Sequence, residues 1–211
     1  MLQLAEICMK RNILIVSDEI HCDIVYPGNT HTPVATLSDD IAHHTITCMA
    51  ASKTFNIAGL STSYLIIPDG KLKKKYDTIL DYVHVGSGNI FGFTALEAAY
   101  NHGDEWLNQL MVYLKGNLDL LLDFFKSNIP IIKPVTPEAT YMVWLDCHAM
   151  NMSSKELQQF MIGKAKLGLS NGNLFGENGE GFQRINIACP KRILMKALEQ
   201  LHHAIKTHNI I

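Results

Sequence analysis

Two short apolar runs, each closed at once by a polar cluster, constrain this chain more than any other feature. "ILIVSDEI" (13–20) is aliphatic for four residues and then turns polar at Ser17, Asp18 and Glu19. "HTITCMAA" (44–51) repeats the plan and runs into Ser52 and Lys53. "SYLIIP" (63–68) is a third run, stopped by Pro68. Such runs predict buried strands of a parallel sheet. In open α/β sheets, ligands bind beyond the carboxyl ends of the strands. Polar clusters at two consecutive strand ends therefore point to one site.

Helices account for most of the rest. Residues 2–12 carry Leu4, Ile7 and Cys8 at helical spacing, with no Ser, Thr or Asp cap before Leu2. This predicts the last turns of a helix and a chain that begins inside an element. Helices are predicted over 71–82 and 91–101. A long core-facing stripe follows from Leu107 through Leu114, Leu118 and Leu121 to Phe125. Three prolines in "NIPIIKPVTPEAT" (128–140) break that helix. Residues 141–146 and 182–188 read as strands around a glycine-rich loop, "SNGNLFGENGEGF". Ser153 and Glu156 form a capping-box signature. Pro190 opens a last helix, with Leu194, Leu198, Leu201 and Ile205 on one face. The fold class expected is α/β. Residues 1–120 would form the remainder of a large domain with its interdomain helix, and 121–211 a small α+β domain.

Composition excludes several function classes. A net charge of −2 with no long basic run excludes an electrostatic nucleic-acid footprint. The one dense cluster, "KLKKK" (71–75), reads as the solvated face of a helix. No stretch is long and apolar enough to span a membrane. Five widely spaced cysteines without a C-x-x-C pair suggest free thiols in a reducing compartment, with the cytoplasm as the default. The paired histidines His43–His44 and His202–His203 point in different directions on any regular element, so no metal site is expected.

Lys53 sits between an apolar run and small residues, in "ASKTFNIAGL" (51–60). Taken alone it also reads as a surface lysine on a loop. Desolvated near a strand end, however, a lysine becomes a neutral nucleophile, able to form a Schiff base with an aldehyde cofactor. An acid one strand earlier, in "SDEIH" (17–21), could pair with a protonated pyridine nitrogen. Ser52, Thr54 and Ser61 offer hydroxyls suited to a phosphate. Arg184 lies on a late strand and can grip a carboxylate with two parallel hydrogen bonds. These are the parts that a pyridoxal 5'-phosphate (PLP) enzyme acting on an amino acid needs.

"VSDEIHCDIVYPGNTHTPVATL", "ASKTFNIAGLSTS" and "GEGFQRINIACPKRIL" together resemble the class I/II aminotransferase superfamily, with the PLP-dependent transferase type I fold, along essentially the whole chain. Within it they resemble most the MalY/PatB group of cystathionine β-lyases. The resemblance implies that Lys53 is the Schiff-base lysine and proton shuttle, and that Asp18 pairs with the pyridine nitrogen. It implies that Ser52 contacts the phosphate and that Arg184 binds the substrate α-carboxylate. His21 falls where many relatives have a tyrosine that contacts the cofactor's phenolic oxygen. Ser61 stands where many aminotransferases have an arginine, and Ala50 where many relatives have a serine.

The implied function is a carbon–sulfur β-lyase acting on cystathionine or related cysteine conjugates and giving thiol, pyruvate and ammonia. A class I/II aminotransferase would share its first steps. Family members are roughly twice as long, and what is missing is the N-terminal half. By resemblance, that half holds the glycine-containing phosphate loop, the aromatic that stacks on the ring and much of a homodimer contact. An inactive remnant, or a partner-binding module, is therefore the non-enzymatic alternative.

Overall fold

A computed structural model describes residues 1–86 and 88–210; Ser87 and Ile211 lie outside the described residues. The chain divides into two compact units, Met1–Gln109 and Leu110–Ile211. The division falls inside one long helix, in which the boundary expected from sequence, between 120 and 121, also lies.

The first unit opens with helix α1 (Leu2–Lys10), whose N-terminus has no side-chain cap. Strand β1 (Ile15–Asp18) follows, then the short helix α2 (Asp39–His43), β2 (Thr45–Met49) and β3 (Tyr64–Ile66). The sheet order is β1-β2-β3. Strands β1 and β2 are parallel, with Asp18 level with Cys48. Strand β3 runs antiparallel to β2, against the expectation of a third parallel strand. A parallel return needs a crossover of a dozen or more residues, usually helical. Between β2 and β3 the chain makes only turns and a single 3-10 turn at Ala58–Leu60, and it returns alongside its own strand. Helices α3 (Gly70–Val83) and α4 (Ile90–His102) complete the unit's regular elements before α5 (Asp104–Asn128). Asp69 and Asn89 cap α3 and α4 by accepting from the Leu72 and Phe91 N–H groups. Gly92 of α4 packs against the 60–62 turn, where a Cβ would collide with Thr62. The lysines of 71–75 are exposed on α3, as expected for a solvated face.

A second expectation for this unit fails. Strand β1 is not buried on both faces: Val16 is 62% exposed, and Ile13 and Leu14 are also open.

In the second unit, a four-stranded sheet has the order β4-β5-β7-β6, all antiparallel. Its strands are β4 (Lys133–Val135), β5 (Met142–Asp146), β6 (Ser170–Asn171) and β7 (Phe182–Asn186). Strict alternation buries Val143, Leu145 and Ile185 on one face. Helices α5, α6 (Ser154–Gly163) and α7 (Lys191–Thr207) supply further buried side chains, including Leu121, Phe125, Leu157, Leu198 and Leu201. The capping box at the start of α6 is present in both directions between Ser153 and Glu156. The three-proline segment does break the helix, but it also carries β4. Pro134 fits there because β4 is an edge strand, where a missing N–H costs no ladder bond.

Candidate active site

The carboxyl ends of β1 and β2 lie side by side, because the two strands are parallel and in register. Asp18 is the last residue of β1. It is exposed, and its Oδ1 accepts from the Ile20 N–H at 3.4 Å. Two successive turns follow, closed by Cys22 N–H to Glu19 O and Ile24 N–H to His21 O at 3.0 and 3.1 Å. They leave His21 half-buried and bury Ile24 and Tyr26.

Glu19 is only 6% exposed and clamps this loop. Its carboxylate accepts from Ser17 Oγ at 2.8 Å and the Val34 N–H at 3.1 Å, and lies 2.9 Å from His31 Nε2. Burial alone would push this carboxyl up. The hydrogen bonds from His31, Ser17 and Val34, with the attraction of His31, outweigh it and hold the group below its ordinary value.

Lys53 lies in the turn beyond β2. Phe55 N–H to Ala51 O at 2.9 Å and Ile57 N–H to Ser52 O at 3.2 Å wind residues 51–57 into a helix-like turn. That winding buries Ala51 and Thr54 while Ser52 is half-buried and Lys53 exposed. The desolvated lysine expected from sequence is therefore not what this chain presents. Thr54 also differs from expectation. Its hydroxyl is fully buried and donates to Asp23 Oδ2 at 2.8 Å, so it does not face outward as a phosphate ligand. This bond spans the two loops and fixes the Lys53 turn against the one that follows Asp18. Phe55 backs the turn, packing on Trp106 and edge-on to Tyr100, with ring centroids 5.6 and 6.3 Å apart. Ser61 is exposed in the left-handed region (φ 48°) and closes the Ala58–Leu60 turn.

Two thiols border this region. Burial, followed by the negative charge of Asp23, pushes Cys22 up to about 11. Burial and Asp18 push Cys48 up as well. Both stay protonated at neutral pH, so neither competes as a nucleophile beside Lys53.

Arg184 is half-buried on β7 in the second unit, in register with Trp144 on one side and Ser170 on the other. Its guanidinium carbon lies 4.2 Å from the centroid of the Phe175 ring, which in turn packs edge-on to Trp144. Arg184 Nε is buried without a hydrogen-bond partner among the described residues. A buried orphan donor on a stacked, fixed guanidinium suits a carboxylate ligand.

The structure thus places Asp18 at a strand end and His21, Ser52, Lys53 and Ser61 on loops of one unit, and Arg184 in the other. Sequence reasoning missed Glu19, Asp23 and Thr54 as supports. For Glu19 a signal existed, since period-two alternation turns it away from Asp18. The Asp23–Thr54 pair, 31 residues apart, had none. Among the described residues, no group of three or more His, Cys, Asp or Glu side chains could hold a metal ion. No helix among them is long and apolar enough to cross a membrane.

Comparison with known proteins gives this arrangement its context. Residues 1–201 match the family "Aminotransferase class I and II". The chain is 42% identical over 205 residues to cystathionine beta-lyase PatB of Bacillus subtilis, covering 97% of this chain and 53% of that protein. It is 33% identical to protein MalY of Escherichia coli, covering 96% and 52%. Among solved structures, cystalysin from Treponema denticola, which contains a pyridoxal 5'-phosphate cofactor, superposes with a TM-score of 0.95 at 35% identity, over 98% of this chain and 52% of that one. The chain spans about half the length of these relatives, and over that half its α/β architecture is theirs. By sequence and by fold, the chain belongs to the aminotransferase class I and II family.

Proposed function

We propose that this chain is part of a PLP-dependent carbon–sulfur β-lyase acting on cystathionine or related cysteine conjugates. The observation that carries the reading is the placing of Asp18 at the end of β1 and of Lys53 in the turn beyond the adjacent, parallel β2, their loops tied by Thr54 and Asp23, in a chain 42% identical to a cystathionine beta-lyase. The donor set fits the cofactor. Lys53 would hold it at its aldehyde carbon and Asp18 at its ring nitrogen. His21 would contact its phenolic oxygen, and Ser52 and Ser61 its phosphate. Bound PLP supplies an electron sink for the charge left when a substrate loses its α-proton.

The chain's own residues do the rest. The Lys53 amine, once free, takes the proton from the substrate α-carbon at its Nζ. Arg184 grips the α-carboxylate with two parallel hydrogen bonds, and Phe175 beneath it limits the guanidinium's freedom. Asp18 would pair with the protonated ring nitrogen. Glu19, fixed by three partners, holds the strand end that presents Asp18. In the net reaction, the bond between sulfur and the β-carbon breaks and one water is consumed. Thiol, pyruvate and ammonium leave. Amino transfer to a keto acid is the alternative outcome of the same first proton step, and two relatives above 30% identity, the cystathionine beta-lyases of Bacillus subtilis and Corynebacterium glutamicum, favour the lyase. The reading includes an amino-acid substrate, a homodimer, and a cytoplasmic setting consistent with five free cysteines.

The test supplies PLP and L-cystathionine to the chain together with the part of PatB that it does not match, and follows pyruvate. Pyruvate release that falls about 10²–10⁴-fold or more in Lys53→Ala is expected. Amino transfer to a keto acid without pyruvate release would assign the aminotransferase activity instead.

A further inference from the structure

Across the sheet of the second unit, the register sets four side chains in one row. Val135 of β4 is level with Trp144 of β5, Trp144 with Arg184 of β7, and Arg184 with Ser170 of β6. Such partners lie about 5 Å apart and point to the same side of the sheet. Phe182, two residues before Arg184, faces the same way about 7 Å along β7. Val143, Leu145, Gln183 and Ile185 alternate to the other side, where they are buried.

Residues 172–181 fold back over this row. Gly172 and Gly179 permit the return, since a Cβ on either would collide with the carbonyl oxygen of the other. Phe175 is thereby laid against both Arg184 and Trp144, with the guanidinium carbon 4.2 Å and the Trp144 ring 5.2 Å from its centroid. Phe182 meets Trp144 edge-on at 6.1 Å. These three rings, with Val135, Asn178 and Gly179, line an open cavity of about 330 Å³. That is the size of a small-ligand pocket. Of the described residues that line it, none is charged, and the polar side-chain groups are the Asn178 amide and the Trp144 indole N–H. A charged group placed there would lose water and gain no charged partner.

We infer that this cavity is the subsite for an apolar β-substituent of the amino acid whose α-carboxylate Arg184 holds. The Nε of Arg184, buried without a partner among the described residues, marks the charged end of the ligand. The cavity starts at the two neighbours of Arg184 on the same side of the sheet, Trp144 and Phe182. Phe175 serves both ends, stacking on the guanidinium and walling the cavity. The substrate class is then a cysteine conjugate with an alkyl or aryl group on sulfur. Cystathionine, whose far end carries an ammonium and a carboxylate, matches this lining poorly. The inference deepens the proposed lyase reading and rests on it for the role of Arg184.

The test is a ¹⁵N NMR titration of the full chain without PLP, following the indole N–H of Trp144 and the Nε–H of Arg184. Trp106→Phe assigns the first, because the chain has two tryptophans, and Arg184→Lys assigns the second. The probes are S-benzyl-L-cysteine, L-cystathionine and L-alanine. S-Benzyl-L-cysteine should move both resonances in one saturating curve, with a Kd at least about tenfold below those of the other two. L-Alanine should move the Arg184 resonance. Val135→Asp, a change at an exposed position of an edge strand, should raise the Kd for S-benzyl-L-cysteine about tenfold and leave that for L-alanine unchanged. Equal affinity for S-benzyl-L-cysteine and L-alanine, or a Trp144 resonance that does not move, would overturn the inference and leave the carboxylate role of Arg184 standing. Cystathionine binding as tightly as S-benzyl-L-cysteine would overturn it too. An Arg184 resonance that answers to none of the probes would overturn it from the other end, because the role that the lyase reading gives Arg184 then fails.

Discussion

Asp18 and Glu19 are neighbours in sequence and opposites in environment. One is exposed with a single weak backbone contact; the other is buried with three partners. That separation leaves Asp18 open at the strand end and makes Glu19 a support of the loop. Because Glu19 is held below its ordinary value, its contribution is present above the unfolded carboxyl's pKa, about 4.3, and is lost as pH falls through the lower folded value. Urea unfolding should therefore find Glu19→Gln less stable than the parent by about 1–3 kcal/mol at neutral pH. The difference should shrink on acidification below pH ~4, because only the parent titrates at this position. A gap that does not change with pH would mean that Glu19 acts by shape and not by charge. The sequence singles out Lys53, Asp18 and Arg184 because each stands in a short polar cluster at a strand end or on an alternating strand. Thr54 was misread. Its hydroxyl looks outward-facing in the string "SKT", and only the winding of residues 51–57 turns it inward to Asp23.

At the scale of elements, local signals did well where one period dominates. The alternation of β5 and β7, the heptad-like stripe of α5 and the capping box of α6 were all readable. Pairing direction was not, since β3 looks like β1 in composition and only the absence of a crossover helix makes it antiparallel. Pro134 hid β4 for a similar reason: a proline signals a break unless the strand lies at an edge, and edges are decided by the whole sheet. Asn117 shows how far apart the supports can be. Buried in α5, its Nδ2 donates to Ile187 O and Cys189 O, both at 2.9 Å, where the chain leaves β7 for α7. Asn117→Ala leaves two carbonyls short of a partner and should cost about 2–4 kcal/mol by denaturant unfolding. A loss within about 0.5 kcal/mol, the range of ordinary surface substitutions, would show that these carbonyls find other donors.

The whole molecule is uneven. One unit has a full antiparallel sheet covered by helices. The other carries the lysine, the acid and the hydroxyls on loops above a thin, half-covered sheet. Lys53 is exposed in that unit, in a chain that spans about half the length of its relatives. The central claim is that Lys53, among all the lysines, carries the cofactor. The most direct measurement incubates the chain with PLP, alone and with the complementary PatB polypeptide, reduces with borohydride and locates the adduct by peptide mass. The account predicts a pyridoxyl group on Lys53, absent in Lys53→Ala and enriched when the complementary polypeptide is present. Labelling spread over the exposed lysines of 71–75, with none on Lys53 under either condition, would contradict it.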